Sequence, residues 1–332
     1  AEAGVNHGGE LDLAMALVDA TAQAGADIVK FQAFRSRDLV AGDAPTAAYQ
    51  KNNTGHREQR ALLKQLELSL DELAGIAAHC RSQNIEFLCT AFDSAMIAAL
   101  SNMGMRRIKI ASGELDNLPA LASAAASGLP LLLSTGMASL DEVRLAFETL
   151  KKNGASDVTL LHCTSLYPAP MESVNLRAMV TLREAFGAPV GYSDHTLGDH
   201  VAVAAVALGA CVIEKHLTLD RSLPGPDHAA SLEQAAFAAM VERLRATALA
   251  LGDGVKAPTA AELEVARVVR KSWHAAANLA AGTVLAPADV CLKRPATGLS
   301  ATRSPIGCCL KVARAADEPI RESDIILEER SG

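Results

Sequence analysis

Eight short apolar runs, each followed by a helix-length amphipathic segment, recur through the first 250 residues, and this alternation limits the possible folds most. The runs are 2–5, 28–31, 86–89, 107–110, 131–134, 159–162, 190–192 and 211–214. Helical patterning follows at 11–24, 70–83, 95–103, 118–126, 140–153, 176–186, 200–208 and 232–250. Pro119 falls in the first turn of the fourth segment, where a helix tolerates it. Strands separated by single helices pair in parallel through right-handed crossovers. Eight such units predict a (β/α)₈ barrel of the TIM type. An open doubly wound sheet is the alternative. It normally reaches fewer strands and often carries a Gly-rich nucleotide turn, which is missing here.

Two stretches depart from the alternation. Residues 35–67 form a long polar connection, of the kind that folds over a barrel's active face. After Leu251 the composition changes, with Gly252, Gly254 and Pro258 marking a connector and 261–269 reading as a short helix. From Lys271 on, segments are short, with turn signals at Gly282, Pro287, Pro295, Gly298, Pro305 and Gly307. The expected organisation is a barrel over 1–252, a linker over 253–270 and a small strand-rich domain over 271–330.

Half the residues are apolar and 3% are aromatic, so the core must be aliphatic. A net charge of −7 and few rings argue against nucleic acid, which asks for a basic face and stacking side chains. No apolar run approaches a membrane span, and the opening Ala1-Glu2-Ala3-Gly4-Val5 lacks a basic, apolar leader. The seven cysteines are irregularly spaced, and Cys80, Cys89, Cys163 and Cys211 sit in apolar surroundings. That predicts a reducing, cytoplasmic interior. Cys163, next to His162, reads as a buried strand residue rather than a nucleophile.

In a barrel the chemistry gathers at the C-terminal strand ends. His195, in Gly191-Tyr192-Ser193-Asp194-His195-Thr196, and His216, in Glu214-Lys215-His216, follow strands seven and eight. Two imidazoles on neighbouring parallel strands can share one divalent metal and leave positions open for substrate and water. The other strand ends supply Glu2 with Asn6-His7, Lys30 with Gln32, Thr90 with Asp93, Lys109 with Ser112 and Glu114, Ser134-Thr135-Gly136, and Thr164-Ser165 with Tyr167. Lys30 and Lys109 lie in apolar runs, where an unpaired ammonium is costly. Beside Ser and Thr hydroxyls, they point to an anion such as a phosphate with a carboxylate, or else to structural ion pairs. Glu2 suits a general acid/base or the positioning of a metal-bound water. Asp227, in Pro224-Gly225-Pro226-Asp227, sits in a rigid loop that can offer a carboxylate to sugar hydroxyls.

These motifs, with Val29-Lys30-Phe31-Gln32, Lys109-Ile110-Ala111-Ser112-Gly113-Glu114, His162-Cys163-Thr164 and Tyr167-Pro168, resemble the N-acetylneuraminate (sialic acid) synthase family. Lys293-Arg294-Pro295 with Gly298 and Ile306-Gly307 is similar to that family's C-terminal antifreeze-like (SAF) domain. The resemblance implies a TIM barrel joined to an SAF lid, in a homodimer whose chains swap lids. It implies condensation of phosphoenolpyruvate (PEP) with an open-chain N-acetylhexosamine, giving a nonulosonic acid and phosphate. His195 and His216 would hold Mn²⁺ or Mg²⁺. Lys30, Thr90, Lys109, Ser112, Ser134 and Ser193 would hold PEP, and Gln32, Tyr167 and Asp227 the sugar. Arg294 would reach the N-acetyl group from the partner chain, and Glu2 would be the acid/base.

Ser165 stands where such synthases often carry Asn, Ala91 where Pro is common and Ala3 where Ile is common. The metal and PEP sets are intact, so the acceptor is the open question. N-acetylmannosamine or a related amino sugar is one expectation. A diacetamido-trideoxyhexose, giving legionaminic or pseudaminic acid, is the alternative. A metal-dependent barrel hydrolase would bring an early His-x-His pair, which is absent. A non-catalytic sugar-phosphate-binding protein would have lost Glu2 or a histidine.

Overall fold

The apolar runs pair in chain order. In this computed structural model, which describes residues 1–326, eight parallel strands form one sheet in the order β1 to β8. They are β1 Glu2–Gly4, β2 Ile28–Ala33, β3 Glu86–Ala91, β4 Ile108–Ile110, β5 Leu131–Ser134, β6 Val158–Cys163, β7 Val190–Asp194 and β8 Ile213–Lys215. A parallel bridge between Glu2 and His216 brings β8 back to β1 and closes the ring as a TIM barrel. Strands covered on both faces need continuous apolar runs, which is how β5 reads: Leu131, Leu132, Leu133 and Ser134 are all buried.

Helices cover the outside. They are α1 Leu11–Gln23, α2 Ser36–Leu39, α3 Ala48–Thr54, α4 Gln59–Gln65, α5 Leu70–Ser82, α6 Ser94–Asn102, α7 Leu118–Ala126, α8 Leu140–Lys152, α9 Ala178–Phe186, α10 His200–Ala207 and α11 Gln234–Leu251. Local sequence explains their ends. Ser139 accepts the Glu142 N–H, and the Glu142 carboxylate accepts the Ser139 N–H at 2.7 Å, a reciprocal cap that contributes about 1 kcal/mol. Val143, Ala146 and Leu150 then recur on one buried face of α8. Truncating Leu150 to Ala is expected to cost about 2–5 kcal/mol.

One glycine is required by close packing. A Cβ on Gly191 would meet the Val212 carbonyl oxygen at 2.5 Å and Leu161 Cδ2 at 2.6 Å, so only Gly lets β7 lie this close to its neighbours.

The structure differs from expectation at two places. The 35–67 connection carries three short helices, α2, α3 and α4, with a small apolar cluster of Val5, Phe34, Leu62 and Leu66 beneath them. The eighth strand starts at Ile213 rather than 211, and Cys211, though among apolar neighbours such as Val212 and Phe237, is exposed.

The described chain forms two compact units, one over Ala1–Gly252 and one beginning at Asp253. The described part of the second holds α12 Ala260–Val269, an antiparallel pair of β9 Ser272–Ala275 with β10 Val290–Lys293, and a second pair, Cys309–Leu310 with Ile325–Ile326. Its own core is small: Ala275, Leu279, Leu285, Val290, Leu299, Cys308, Leu310, Ile320 and Ile325. Among the described residues no helix is long and apolar enough to cross a membrane.

Candidate active site

Strand register brings the polar residues together. Glu2 lies opposite Lys30, Gln32 opposite Thr90, Thr90 opposite Lys109, and Ser193 opposite Glu214. Together with Ser112, Ser134, Tyr167, His195, His216 and Asp227 they line one cavity of about 480 Å³ at the C-terminal strand ends. Every barrel residue expected to act therefore faces the same space. Arg294 lies in the second unit, exposed, directly after β10.

The cavity floor is a charge network. Lys30 makes a close ion pair with Glu2, donates to Thr90 Oγ1 at 3.3 Å and lies 3.7 Å from Glu214 Oε1. Gln32 Nε2 donates to Glu2 Oε1 at 3.2 Å. Ser193 Oγ donates to Glu214 Oε1 at 2.9 Å. Burial pushes the Glu2 carboxyl up, against the pull of Lys30. Lys30 is held above its ordinary value because Glu2 and Glu214 outweigh its burial. Burial and the neighbouring Lys30 lower Lys109, although Glu214 opposes them. For Glu214 burial acts upward, yet Lys109, Lys30 and the Ser193 hydroxyl hold it well below the carboxylate range.

The two lysines differ in their partners. Lys30 is ion-paired, whereas Lys109 makes only a 3.4 Å bond to the Ile110 carbonyl and a 3.8 Å approach to Glu214. Lys109 retains donor capacity facing the cavity, and Ser134 Oγ is buried with no partner. Ser112 Oγ accepts the Gly136 N–H at 3.0 Å. Unfilled donors around a fixed ammonium suit a polyanionic ligand.

The opposite wall is aromatic and acidic. The Tyr167 ring lies 4.0 Å from that of His195 and stacks on Tyr49 of α3 at 5.1 Å and 19°. Asn53 Nδ2 donates to the Pro226 carbonyl at 2.8 Å, tying α3 to the loop that presents Asp227. Burial raises Asp227 to about 6, only partly offset by His195.

Sequence reasoning gave no role to Glu214 or Tyr49, both of which line the cavity, while Ser165 of the strand-six set lines it as well. Glu214 was visible beside Lys215 and His216, but its direction depends on register. Tyr49 belongs to a helix that polar patterning did not reveal. Conversely, Asp93 and Asn6 are committed to structure. Asp93 Oδ1 caps α6 by accepting the Met96 N–H, and Asn6 donates to the Leu217 carbonyl and Ser231 Oγ.

The two histidines suit a shared ion. Their ring centroids are 5.3 Å apart. His195 Nδ1 lies 2.8 Å from the Thr164 carbonyl, which we assign as an Nδ1–H donor, leaving Nε2 for a ligand. Cys163 Sγ, 3.8 Å from the same nitrogen, raises the imidazole despite its burial. His216 is held well below its ordinary value by burial and by the His195 and Lys30 charges, and its Nδ1 is buried without a partner. Among the described residues no third His, Cys, Asp or Glu completes a cluster, so solvent or substrate would supply the other ligands.

Known proteins share this architecture. The N-acetylneuraminic acid synthetase of Leptospira borgpetersenii, solved in complex with citrate, superposes with a TM-score of 0.72 at 37% identity, over 80% of this chain and 88% of that one. The N,N'-diacetyllegionaminic acid synthase of Campylobacter jejuni is 45% identical over 306 residues, covering 91% of this chain and 92% of the relative. The enzyme of the same name from Legionella pneumophila is 47% identical over 305 residues, covering 90% and 86%. The NeuB family model matches residues 17–256, nearly the whole barrel. A match of that extent, with such identity running on into the second unit, makes the protein an enzyme of the acid-sugar synthase type: the chain belongs to the NeuB family.

Proposed function

We propose that the protein condenses PEP with an open-chain diacetamido-trideoxyhexose, giving a legionaminic-type nonulosonic acid and phosphate. One observation carries the reading. Lys30, Lys109 and four hydroxyls face the same cavity as His195 and His216, so groups suited to an anion and to a divalent ion share one space. The acceptor follows the relatives. Those at 45% and 47% identity are named N,N'-diacetyllegionaminic acid synthases, whereas the sialic acid synthetase stands at 37%. This favours the alternative acceptor over N-acetylmannosamine.

In this reading Lys30 and Lys109 neutralise the PEP phosphate and carboxylate, and Thr90, Ser112, Ser134 and Ser193 orient them. C3 of PEP bonds to the aldehyde carbon, water adds at C2, and the C2–O bond to phosphate breaks to leave a ketone; of the water's two protons, one ends on the former aldehyde oxygen and one on the phosphate. His195 and His216 would hold Mn²⁺ or Mg²⁺, which as a Lewis acid polarises an aldehyde oxygen. Glu2, raised by burial and poised beside Lys30, serves as the acid/base for the incoming water. Gln32, Tyr167 and Asp227 hold the sugar. Residues 253–270 act as linker and 271–330 as an SAF-type lid that excludes bulk water in a swapped homodimer, with Arg294 on the acceptor's N-acetyl group. A cytoplasmic location fits a PEP-using enzyme.

Phosphate release from PEP, measured with each candidate sugar after chelation and after Mn²⁺ or Mg²⁺ addition, tests the reading. The expected outcome is metal-dependent release, with the diacetamido sugar giving the higher kcat/KM. Release that survives verified metal removal overturns the metal assignment. A preference for N-acetylmannosamine overturns the acceptor.

A further inference from the structure

Behind the two histidines stands a pair of charges that does not line the cavity. Asp194 and Lys215 are register partners on β7 and β8. Their neighbours Ser193, Glu214, His195 and His216 line the cavity, and alternate facing turns Asp194 and Lys215 the other way. Both side chains are wholly buried, with 0% exposure each. Lys215 Nζ donates to Asp194 Oδ2 at 2.8 Å and also to the Thr196 carbonyl. Asp194 Oδ1 accepts the Thr196 N–H at 2.9 Å and the Thr196 hydroxyl at 2.7 Å.

The network therefore grips the backbone on both sides of His195 and is joined directly to His216. A buried ion pair is a poor source of stability, since apolar side chains of similar volume often serve as well or better. What it adds here is direction. Residues 194, 196 and 215 are fixed to one another, and both imidazoles project from that frame. A slip of one residue between β7 and β8 would turn one histidine out of the cavity.

We propose that the Asp194–Lys215 ion pair is a positioning device that sets the spacing of His195 and His216, and through it the affinity for a divalent ion. The inference rests on the reading of the two histidines as an ion site.

The test is Mn²⁺ titration of the metal-free full chain, followed by the electron paramagnetic resonance signal of free Mn²⁺, alongside thermal melting. Four variants are compared with the parent: His195→Ala, Asp194→Asn, Lys215→Met, and the double change Asp194→Leu with Lys215→Met. Lys215→Met leaves a buried carboxylate unpaired and is expected to melt well below the parent. The double variant removes both charges and is expected to recover that melting temperature. Mn²⁺ binding in the double variant and in Asp194→Asn is nevertheless expected to be about 10–100-fold weaker. A purely structural pair would recover binding together with stability, so parent-like Mn²⁺ affinity in the stable double variant or in Asp194→Asn overturns the proposal. If the parent binds no Mn²⁺, or His195→Ala binds it as tightly as the parent, the ion site itself is overturned and the proposal with it.

Discussion

Glu214 Oε1 lies between two ammonium groups, 3.7 Å from Lys30 Nζ and 3.8 Å from Lys109 Nζ. Three strands meet in this contact, because the residues stand on β2, β4 and β8. Without the carboxylate, two buried ammonium groups would face one another across the cavity with only Glu2 to balance them. Glu214 thus holds the two ammonium groups together in the folded barrel.

Glu214→Gln is accordingly expected to destabilise the barrel by about 3–5 kcal/mol, the usual cost of removing one partner from a buried ion pair. The pH dependence has a definite sign. A carboxylate held below its ordinary value adds stability above that value and loses it as pH falls through the depressed one. The parent should therefore lose more stability than Glu214→Gln on acidification below about pH 4.5. Equal acid sensitivity in denaturant unfolding would remove Glu214 from this role.

Lys30→Met and Lys109→Met are expected to raise the KM for PEP more than that for the sugar. Each loses a charge-assisted contact of about 1.5–3 kcal/mol, roughly a ten- to hundredfold effect. Lys30→Met should also lower the melting temperature, because Glu2 loses its close partner, while Lys109→Met should not. Wild-type PEP kinetics in both variants would make the two lysines purely structural.

Asp227 offers a pH test on the acceptor side. With its carboxyl raised to about 6, it is protonated below that pH and ionised above it. If the carboxylate accepts hydrogen bonds from sugar hydroxyls, the sugar KM should climb as pH falls through about 6. In Asp227→Asn this dependence should be absent. The linkage to stability runs the other way. The raised group favours folding below its ordinary value, and that contribution is lost as pH rises toward 6. A sugar KM with the same pH profile in both proteins would contradict the assignment.

The role proposed for Arg294 across a swapped dimer predicts complementation. Arg294→Ala should raise the sugar KM more than the PEP KM, and His216→Ala should abolish turnover. Once their subunits exchange, the two variants should form heterodimers with one intact site and exceed the activity of either variant alone. No gain after confirmed exchange, or a monomer by light scattering, would place Arg294 in its own chain's chemistry or outside it.

Much of the barrel was legible because the alternation of apolar run and amphipathic helix repeats eight times, and because polar residues such as Lys30 and Lys109 interrupt the runs. Facing was harder to read. A strand buried on both sides shows no alternation of apolar and polar residues. Nothing local therefore says that Glu214 turns inward while Asp194 and Lys215 turn outward. That depends on the pairing of Ser193 with Glu214. The late start of β8 was hidden for the same reason, since Ala210, Cys211 and Val212 look like strand. The helices between 36 and 65 escaped because their buried surface is confined to a few residues, such as Leu62 of α4.

Lys30, Thr90, Lys109, Ser134 and Ser193 all belong to barrel strands, whereas Tyr49, Tyr167 and Asp227 stand on connections between them. The Tyr49–Tyr167 stack joins two such connections, and no strand takes part in it. The two halves of the cavity are therefore under unequal constraint. A change at a strand position disturbs a ladder and the layers packed on it, while a change at the tyrosines alters cavity shape with the barrel intact. Under the proposed roles, the strand-borne groups given to the donor are harder to exchange than the loop-borne Tyr167 and Asp227 given to the acceptor, while Gln32, on β2, shares the strands' constraint.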